Sequence, residues 1–376
     1  MHFFISKSAL QGTVNIASNI VEKKTTLPIL GHVLIKAEDG DKLILQATDL
    51  DTSMVRQVEA KVERPGRVAL PALLLRDIVR RLPDEQLIEI STEDYKRTIV
   101  KSGSSVFTIS SLEGDDFPSI NIGNNFPNKF TLKANVLARL IAKTRFAMSN
   151  EETRYNLNGI YMHPIEVDGK KYLRAVATDS HRLACAQIPL PENLDMQGII
   201  ISRKTVNELS RLLDECAPDD EVTVMLSTFQ ICFHLWGSTF ISSRLIDGVF
   251  PNYEHFIPFD NSNVILLEKA KFNDAVERVS LVSQDKERPV KLVAGQNNLH
   301  IESLDANMGH AEEDIEADFS GQEINVCFNS RYLIDLSHQI PDEANIEIRV
   351  GEPGVPVIFQ EVGNENELSV IMPLRI

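Results

Sequence analysis

The stretch Gly66-Arg-Val-Ala-Leu-Pro-Ala-Leu-Leu-Leu-Arg-Asp-Ile-Val-Arg-Arg-Leu-Pro-Asp-Glu85 begins as a short apolar run, continues as an amphipathic pattern and ends in a proline followed by two acids. The same succession returns as Gly198-Ile-Ile-Ile-Ser-Arg-Lys-Thr-Val-Asn-Glu-Leu-Ser-Arg-Leu-Leu-Asp-Glu-Cys-Ala-Pro-Asp-Asp220 and as Glu323-Ile-Asn-Val-Cys-Phe-Asn-Ser-Arg-Tyr-Leu-Ile-Asp-Leu-Ser-His-Gln-Ile-Pro-Asp-Glu343. Proline cannot continue a helix, because its ring clashes with the preceding turn and it has no N–H to donate. The sequence therefore predicts three copies of one strand–helix module, and in each copy the proline ends the helix.

Each of these three helices is predicted to bury one apolar stripe. Residues four apart lie on the same face of a helix. Counting back nine, five and one positions from each proline selects Leu74, Ile78 and Leu82, then Leu209, Leu213 and Ala217, then Tyr332, Leu336 and Ile340. We expect these nine side chains to face the core.

A second strand–helix pair precedes each module, and hairpin patterns follow both pairs. Six helices are predicted, at about 7–24, 72–82, 133–145, 202–215, 268–279 and 330–340. Alternating apolar residues around Asp-Gly and Asn-rich turns predict the hairpins. The fold class is therefore α+β, with three repeated domains that each pack two helices on antiparallel sheets. Polar stretches at about 119–129 and 252–263 place the domains at 1–125, 126–260 and 261–376.

Composition excludes several classes of protein. The 376 residues are 43% apolar and 24% charged, with no apolar run long enough to span a bilayer. The start lacks the basic and apolar regions of a secretion signal, which predicts a cytoplasmic protein. The four cysteines, Cys185, Cys216, Cys232 and Cys327, are far apart in sequence, which favours reduced side chains over a disulfide framework or a zinc site. We expect no metal and no cofactor.

The charge is distributed unevenly along the chain. The net charge of −16 argues against nucleic acid when it is taken as a sum. The six predicted helices, however, carry a net +8, which leaves −24 for the rest. Such a division suits one surface that faces a polyanion and an exterior that repels it. A solvated helix face rich in Lys and Arg is the alternative explanation.

Compact catalytic motifs are missing, and one short segment is the best candidate for chemistry. Ala177-Thr-Asp-Ser-His-Arg-Leu-Ala184 holds Asp179, Ser180 and His181 side by side, whereas catalytic triads converge from separate segments. Thr48-Asp49 and Leu304-Asp305 take the place of Thr178-Asp179 in the other repeats, so the Asp is predicted to be a turn residue. His181-Arg182 has no counterpart in the other repeats, which indicates a site, although a satisfied His and a surface Arg are the alternative.

Several segments together resemble one family. They are Thr26-Leu-Pro-Ile-Leu30, Tyr155-Asn-Leu-Asn-Gly159, the segment 177–184, Leu245-Ile-Asp-Gly-Val-Phe-Pro-Asn-Tyr253 and Met372-Pro-Leu-Arg375. In this order they are similar to the bacterial sliding clamps, the β subunits of DNA polymerase III. The resemblance implies domains of the DNA-clamp type and a head-to-tail homodimer that forms a ring around duplex DNA. It also implies a non-enzymatic processivity factor within the polymerase holoenzyme.

The resemblance implies further partners and a pocket. DNA polymerase III alpha subunit, the clamp loader, other polymerases and repair proteins are expected to dock through short clamp-binding peptides. The matching pocket positions are Leu157, Thr178, His181, Arg182, Leu183, Pro251, Val370, Met372, Pro373, Leu374 and Arg375. Apolar side chains would form the groove, while Arg and His at its rim would orient polar peptide groups. His255 and Phe256 stand where the family often has a basic and a small apolar residue, so one subsite is expected to differ.

The resemblance also assigns DNA and subunit contacts. Lys24 and the segment 151–156 match positions that touch DNA, although Glu151 and Asn156 replace residues that suit DNA better. Helix charge adds Arg80, Arg139, Lys143 and Arg203 as candidate DNA contacts. For ring closure, Ile78, Leu82 and Phe107 of one subunit are expected to meet Leu281 and Val282 of the next. Two other hypotheses remain open from the sequence: a hydrolase that uses Asp179 and His181, and a peptide-binding scaffold without a DNA role.

Overall fold

The computed structural model describes residues 1–22, 24–94, 96–120, 126–192, 194–283, 288–305 and 308–375. Within these residues the α-helices are α1 (Lys7–Ile20), α2 (Ala72–Arg81), α3 (Ala134–Arg145), α4 (Arg203–Asp214), α5 (Lys269–Val279) and α6 (Ser330–Ser337). All six predicted helices are present, although α1 ends at Ile20 instead of residue 24 and α6 at Ser337 instead of residue 340, and α2, α4 and α6 all end before their prolines. The hydroxyl of Ser6 caps α1 by accepting from the amide of Ala9 at 3.3 Å. Part of the first predicted linker, residues 121–125, lies outside the described residues.

Strands make up most of the remaining secondary structure. The first repeat contains β1 (His2–Ser6), β2 (His32–Glu38), β3 (Lys42–Thr48), β4 (Thr52–Glu59), β5 (Lys61–Arg64), β6 (Gly66–Pro71), β7 (Leu87–Asp94), β8 (Arg97–Ser102), β9 (Ser105–Ser110) and β10 (Leu112–Glu113). The second contains β11 (Asn128–Lys133), β12 (Gly159–Val167), β13 (Lys170–Thr178), β14 (Arg182–Pro189), β15 (Ile199–Ser202), β16 (Glu221–Leu226), β17 (Gln230–Leu235) and β18 (Thr239–Arg244). The third contains β19 (Asn263–Glu268), β20 (Pro289–Gly295), β21 (Asn298–Asp305), β22 (Gly309–Glu316), β23 (Ile324–Asn329), β24 (Asn345–Val350), β25 (Val357–Glu361) and β26 (Glu367–Ile371).

One compact unit comprises 1–137, 191–195 and 204–245. It holds a five-stranded sheet in the order β5-β1-β7-β8-β9 and a nine-stranded sheet in the order β10-β6-β2-β3-β4-β18-β17-β16-β11. All neighbouring strands are antiparallel, as the hairpin patterns predict. Pairing of β4 with β18 makes the first and second repeats share one sheet.

A second compact unit comprises 138–190, 196–203 and 246–376. Its eight-stranded sheet has the order β15-β12-β13-β14-β26-β25-β24-β19, and its four-stranded sheet has the order β22-β21-β20-β23. Here β14 pairs with β26, so the second and third repeats also share a sheet. Each half of the second repeat thus belongs to a different unit, while the boundaries after residues 125 and 260 remain a prediction.

A buried lysine ties the two helices of a repeat together at equivalent places. The ammonium of Lys7 donates to the carbonyl of Leu82 at 2.6 Å and pairs with Asp84 at 2.7 Å. In the third repeat Lys269 pairs in the same way with Asp342. The last carbonyls of a helix have no hydrogen-bond partner within the helix, and the lysine ammonium can bind them or a carboxylate beside them. The first acid after the proline, Asp84 or Asp342, thus has a structural role in these repeats.

The predicted apolar stripes are partly wrong. Leu74 is 46% exposed, and Ala217 is exposed as well. The face of α2 that packs inward consists of Ala72, Leu75, Ile78 and Val79. In α2, two steps of four exceed two turns of 3.6 residues by about one residue, so Leu75 faces inward in place of Leu74. Six of the nine predicted positions are buried as expected: Ile78, Leu82, Leu209, Leu213, Leu336 and Ile340.

Candidate functional site

A cavity of about 170 Å³ opens on the surface of the second unit. It lies between the turn after β13, the 3-10 turn at 253–256 and the end of β26. Its walls are mostly apolar and consist of Thr178, Ser180, His181, Arg182, Leu183, Pro251, Tyr253, Phe256, Pro356, Val370 and Met372. A concave apolar site with a few polar groups is the form that ligand-binding sites usually take.

The structure brings seven of the predicted pocket residues together around this cavity: Thr178, His181, Arg182, Leu183, Pro251, Val370 and Met372. Leu157 lies beneath the cavity in a buried apolar cluster with Leu183 and Val370. Pro373, Leu374 and Arg375 continue from Met372 and do not line the cavity. The amide of Leu374 donates to the carbonyl of Cys327 at 2.7 Å, which holds this last segment in place.

Three wall residues, Ser180, Tyr253 and Pro356, are absent from the predicted pocket set, and Phe256 enters the prediction only as a departure from the family. Tyr253 lies in the segment 245–253 and Ser180 in the segment 177–184. Both segments resemble the family, so both residues could have been predicted from the sequence. Pro356 lies in the loop between β24 and β25, and no pattern in the sequence connects that loop with the other walls.

The turn after β13 is built by two side chains. Asp179 Oδ1 accepts from the amides of His181 and Arg182, each at 3.0 Å. Thr178 Oγ1 accepts from the amide of Ser180 at 3.1 Å and donates to the carbonyl of Arg182 at 2.7 Å. Ser180 has φ of 76°, a conformation that these bonds compensate. The prediction that Asp179 is a turn residue is therefore confirmed.

A hydrolase dyad of Asp179 and His181 is not formed. Asp179 contacts the backbone amide of His181 through Oδ1, and its Oδ2 accepts from Arg182 Nε at 3.0 Å. The ring of His181 instead stacks on Tyr332, with ring centres 6.4 Å apart and an angle of 25°. A general base needs an orienting partner on its ring nitrogen, and Asp179 does not supply one. The hydrolase alternative is therefore not supported.

Arg182 is fixed by charges and rings on several sides. Its guanidinium pairs with Asp179 at 3.0 Å and with Asp335 at 2.6 Å. Its central carbon lies 4.5 Å from the ring centre of Tyr332 and 5.3 Å from that of Phe146. The side chain is only 11% exposed. Arg182 therefore lines the cavity with its charge paired within the chain, while its role toward a ligand's polar groups stays a prediction.

A polar network lies behind the cavity and supports the 3-10 turn. The hydroxyl of Tyr253 is hydrogen-bonded to His163 Nε2 at 2.9 Å and to Arg174 at 3.3 Å. Tyr161 stacks between His163 and Phe250, at 4.6 Å and 4.8 Å. Burial raises the pKa of Tyr253 and lowers the pKa of His163. Both groups are therefore held neutral beneath the pocket.

The predicted DNA-contact residues differ in how free they are. Lys24 and Arg80 are exposed and form no ion pair with the described residues. Arg139 and Lys143 of α3 both pair with the carboxylate of Glu367, Lys143 at 2.9 Å. Arg203 Nη1 donates to the carbonyl of Ser149 at 3.1 Å. Within the described chain, Lys24 and Arg80 are thus the two candidates that form no ion pair or side-chain hydrogen bond, although the charge of Arg80 helps to lower the pKa of Asp77.

The helices as they stand keep the charge bias predicted from the sequence. They contain fourteen Lys or Arg against six Asp or Glu, a net +8 on a chain of −16. In the segment 151–156, Glu151 pairs with Arg154 at 3.1 Å and Asn156 donates to the carbonyl of Val249 at 2.9 Å. These two side chains therefore have partners within the chain.

Membrane-spanning helices and metal sites would indicate other classes of protein. In the part of the chain that the structure describes, no helix is long and apolar enough to cross a membrane. Among the same residues, no group of three or more His, Cys, Asp or Glu side chains is arranged to hold a metal ion. Burial raises the pKa of the Cys185 thiol to about 12 and that of Cys216 to about 11, which suits unreactive cysteines.

Three tandem copies of a paired strand–helix unit, joined by shared antiparallel sheets, define a three-domain clamp architecture. The family models of the DNA polymerase III beta subunit match in order: the N-terminal domain at 1–121, the central domain at 131–252 and the C-terminal domain at 254–375. The chain therefore belongs to the DNA polymerase III beta subunit family, the beta sliding clamps.

Individual relatives cover the whole chain. The beta sliding clamp of Caulobacter vibrioides is 36% identical over 378 residues, and that of Escherichia coli K12 is 32% identical over 377 residues, with all of both chains covered in each case. Among solved structures, the sliding clamp of Bartonella birtlesii bound to griselimycin has a TM-score of 0.94 at 37% identity and full coverage of both chains. A Caulobacter crescentus beta sliding clamp with bound PEG has a TM-score of 0.94 at 36% identity, covering 100% of this chain and 99% of that one.

Proposed function

We propose that this protein is a DNA sliding clamp, a processivity factor that encircles duplex DNA as a head-to-tail homodimer and docks its partners through the cavity of the second unit. The observation that carries the closed ring is the way successive repeats are joined. In each joint, the last strand in the first half of one repeat pairs with the last strand in the second half of the next repeat. One strand of each kind remains without such a partner, one in the first repeat and one in the third.

The joining strands hold equivalent places in the repeats. The meander in the first half of the first, second and third repeats ends with β4, β14 and β22, respectively. The meander in the second half of these repeats ends with β9, β18 and β26, respectively. Strand β4 pairs with β18, and β14 pairs with β26. Strands β22 and β9 each lie at the edge of their own sheet. A second copy would supply the missing partner for both, which closes a ring of six repeats.

The existing joints predict the register of the missing one. Met54 lies opposite Ile241, and Ala184 lies opposite Ser369. Phe107 is the equivalent of Ile241, because each lies opposite the matching residue of the preceding strand, Val100 or Phe233. Ala311 is likewise the equivalent of Met54, because they lie opposite Ser303 and Ala47. The same antiparallel joint therefore places Phe107 opposite Ala311 of the second copy. Val106 then lies opposite Glu312.

The two free edges differ in charge. Strand β9 reads Ser-Val-Phe-Thr-Ile-Ser and carries no charge, whereas β22 contains Glu312, Glu313, Asp314 and Glu316. Like charges directly opposite each other destabilise a sheet. Two copies of β22 would therefore repel each other, while β9 can accept β22. This difference favours the head-to-tail arrangement over a symmetric pairing of acidic edges.

The apolar contacts predicted for closure stand in different surroundings. Leu281 is exposed, and Phe107 and Val282 are half-buried, so a second copy could cover them. Ile78 and Leu82 are already buried within their own chain. We propose that Phe107, Leu281 and Val282 supply the apolar contact, while Ile78 and Leu82 support it from below.

Cysteine cross-linking tests the closure. A disulfide needs Cα atoms about 4.4–6.8 Å apart, which directly opposed residues of an antiparallel pair satisfy. We expect the double variant Val106→Cys and Glu312→Cys to form a covalent dimer on mild oxidation. The matched control, Val106→Cys with Asp314→Cys, is displaced by two residues and should cross-link far less. Dimers from the control alone, or a wild-type monomer in sedimentation at micromolar concentration, would contradict the proposed joint.

The cross-linked ring also tests encirclement. A closed ring should remain on nicked circular DNA at high salt and leave once the DNA is linearised, because only a topological link survives when phosphate contacts are screened. Binding that persists on the linear form would show attachment without encirclement.

DNA contact is proposed to be weak and blind to sequence. Exposed Lys24 and Arg80 would touch phosphates, and Arg139, Lys143 and Arg203 would contribute more weakly because their charges are partly engaged. Removal of one cation that neutralises a phosphate should reduce the slope of log K against log salt by about 0.9. The double variant Lys24→Ser and Arg80→Ser should therefore lower that slope by about 2, while the dimer remains intact.

Partner docking through the cavity completes the proposal. Its size and apolar walls suit one or two apolar side chains of a short peptide, the means by which the polymerase alpha subunit, the clamp loader, other polymerases and repair proteins would be tethered. The function needs no catalytic residue, metal or cofactor, and a cytoplasmic location remains a prediction. A peptide scaffold without a DNA role would pass a peptide-binding test but fail the retention test on circular DNA.

A further inference from the structure

Glu367 of β26 pairs with two cations of α3. One oxygen of its carboxylate accepts from Arg139 Nε, and the other lies 2.9 Å from the ammonium of Lys143. Asn364 Nδ2 also donates to the second oxygen at 3.1 Å. The side chain of Glu367 is only 10% exposed, whereas that of Arg139 is 59% exposed. A nearly buried carboxylate thus holds a cation that is largely open to solvent.

The register of the eight-stranded sheet shows on which side Glu367 lies. Phe359 lies opposite both Ile348 and Ser369, so these three side chains share one face. Glu367 is two residues from Ser369 and points the same way. Ile348 and Phe359 pack in the core with buried residues of α5 and α6. Glu367 is therefore on the helix side of the sheet, while Glu347, next to Ile348, points to the other side.

A DNA phosphate and Glu367 would compete for the same guanidinium. An anion that approaches Arg139 meets a charge that a carboxylate of the same chain already balances in part. Lys143 is engaged twice, because its ammonium also donates to the carbonyl of Gln339. Cations that neutralise phosphates drive DNA binding by releasing counterions. A cation that is paired within the protein neutralises a phosphate less fully, so Glu367 reduces the attraction of α3 for DNA.

We propose that Glu367 is a positioning residue that limits the hold of α3 on duplex DNA by keeping Arg139 and Lys143 on the protein's own carboxylate. The inference rests on the proposed function and adds to it a residue that weakens DNA contact instead of forming it. A ring that encircles DNA does not need strong contacts to stay on it. Weak phosphate contacts that are blind to sequence let a protein slide along the duplex.

The salt dependence of DNA affinity tests this role. The probe is a short fluorescein-labelled linear duplex, onto which a ring can thread from the ends, and Kd is measured by fluorescence polarisation over a range of KCl concentrations. Glu367→Gln keeps the shape of the side chain and removes its charge. The slope of log K against log salt should steepen by about 0.9 for each copy whose Arg139 gains a phosphate. Affinity at low salt should rise by about tenfold.

Glu347→Gln is the matched control. It makes the same change in net charge on the other face of the sheet, where Glu347 is 14% exposed and pairs with Arg349. Its slope should equal that of the wild type. Addition of Arg139→Ser to Glu367→Gln should return the slope to the wild-type value, because the released cation is then removed.

A second variant keeps the test decisive if Glu367→Gln does not fold. Lys143→Gln with Glu367→Gln removes one cation and one anion, so the net charge is unchanged and no second ammonium repels Arg139. Its slope should also steepen by about 0.9 for each copy, which a merely structural role of Glu367 would not produce. Equal circular dichroism spectra and Tm values verify that the compared variants are folded.

The opposite results would overturn the inference. Unchanged slopes in both Glu367 variants would show that the carboxylate does not restrain Arg139, and equal steepening in Glu347→Gln would show a general effect of charge. If the wild type is retained on circular DNA while these slopes agree, the proposed function stands and the role of Glu367 is wrong. If the wild type neither binds the duplex nor stays on circular DNA, the proposed function fails and the inference fails with it.

Discussion

Two turns of this protein share a backbone and differ in the side chains that they hold. In the first unit Asp49 Oδ1 accepts from the amides of Asp51 and Thr52, at 3.0 Å and 2.6 Å. In the second unit Asp179 accepts from the equivalent amides of His181 and Arg182. Leu50 and Ser180 take the same left-handed conformation, with φ of 81° and 76°. The duplication has kept the turn itself.

The neighbouring strand joins both turns in the same way. The amide of Arg244 donates to the carbonyl of Asp51 at 2.9 Å, and the amide of Met372 donates to the carbonyl of His181 at 2.9 Å. The side chains then diverge. Asp51 and Arg244 lie 3.7 Å apart as an exposed ion pair, whereas His181 and Met372 are both walls of the apolar cavity. The backbone therefore supplies a duplicated frame, and a few side chains decide whether a pocket forms on it.

The largest effect is expected from removing the segment after Ile371, which forms a wall of the cavity in the second unit. Truncation after Ile371 deletes Met372 and the segment fixed by the amide of Leu374. Peptide binding should become undetectable in fluorescence polarisation, a loss of at least about a hundredfold, because a central apolar wall is removed. The dimer should remain, since β9 and β22 are untouched. A truncated protein that sediments as a monomer, or that binds peptide normally, would contradict this.

A double substitution converts one turn into the other. His181→Asp with Met372→Arg copies the ion pair of the first unit into the second, without altering the backbone bond between the two positions. Charged groups in an apolar pocket cost free energy of desolvation, so peptide affinity should fall by about thirtyfold, the effect expected from the loss of a hot spot. Titration of a labelled peptide measures it. Unchanged affinity would mean that these two walls do not contact the ligand.

Single carboxylates sharpen the comparison. Asp335→Asn leaves the nearly buried Arg182 with Asp179 alone, and the free energy of unfolding should fall by about 1–2 kcal/mol. Asp51→Asn removes the partner of the exposed Arg244 and should cost at most about 0.5 kcal/mol. Urea unfolding of both variants gives the two values. Equal losses would show that the rings of Tyr332 and Phe146, rather than burial with a second carboxylate, hold Arg182.

The smallest effect concerns pH. Burial lowers the pKa of His163 below its ordinary value of 6.5, so the unfolded chain takes up this proton at a higher pH than the folded chain. The stability that the neutral ring contributes is fully present above about pH 6.5 and is lost as the pH falls through the folded pKa. The Tm of His163→Gln should therefore decline less between about pH 7 and pH 5 than the Tm of the wild type. Parallel curves would assign the acid sensitivity to other groups.

Much of the fold could be predicted from the sequence because it repeats. The three prolines revealed the second helix of each repeat, and the hairpin turns revealed the meanders. Comparison of repeats also separated the structural Asp179 from His181 and Arg182. The buried face of each helix could not be predicted in full: Leu74 and Leu75 are both apolar, and only the packing of α2 shows that Leu75 is the buried one.

The candidate site was predictable in part. Its apolar residues stood in segments that resemble the family, and most of them surround one cavity. The surroundings of Arg182 were not predictable, since Asp335 is 153 positions away and Phe146 follows the end of α3. Only the tertiary structure shows that the charge of Arg182 is paired with carboxylates of the same chain. For the same reason, the ion pairs of Arg139 and Lys143 with Glu367 could not be anticipated from helix charge.

The acidic edge of β22 also has a consequence before any ring exists. β9 and β22 are among the edge strands of a single copy, and an unprotected strand edge can pair with another chain and lead to aggregation. Here the acids at 312–314 and 316 keep one edge from joining its own kind. In the proposed ring, self-association is thereby given a direction, from β9 of one copy to β22 of the next. The same charges that would shape the proposed ring thus also help to keep a single copy soluble.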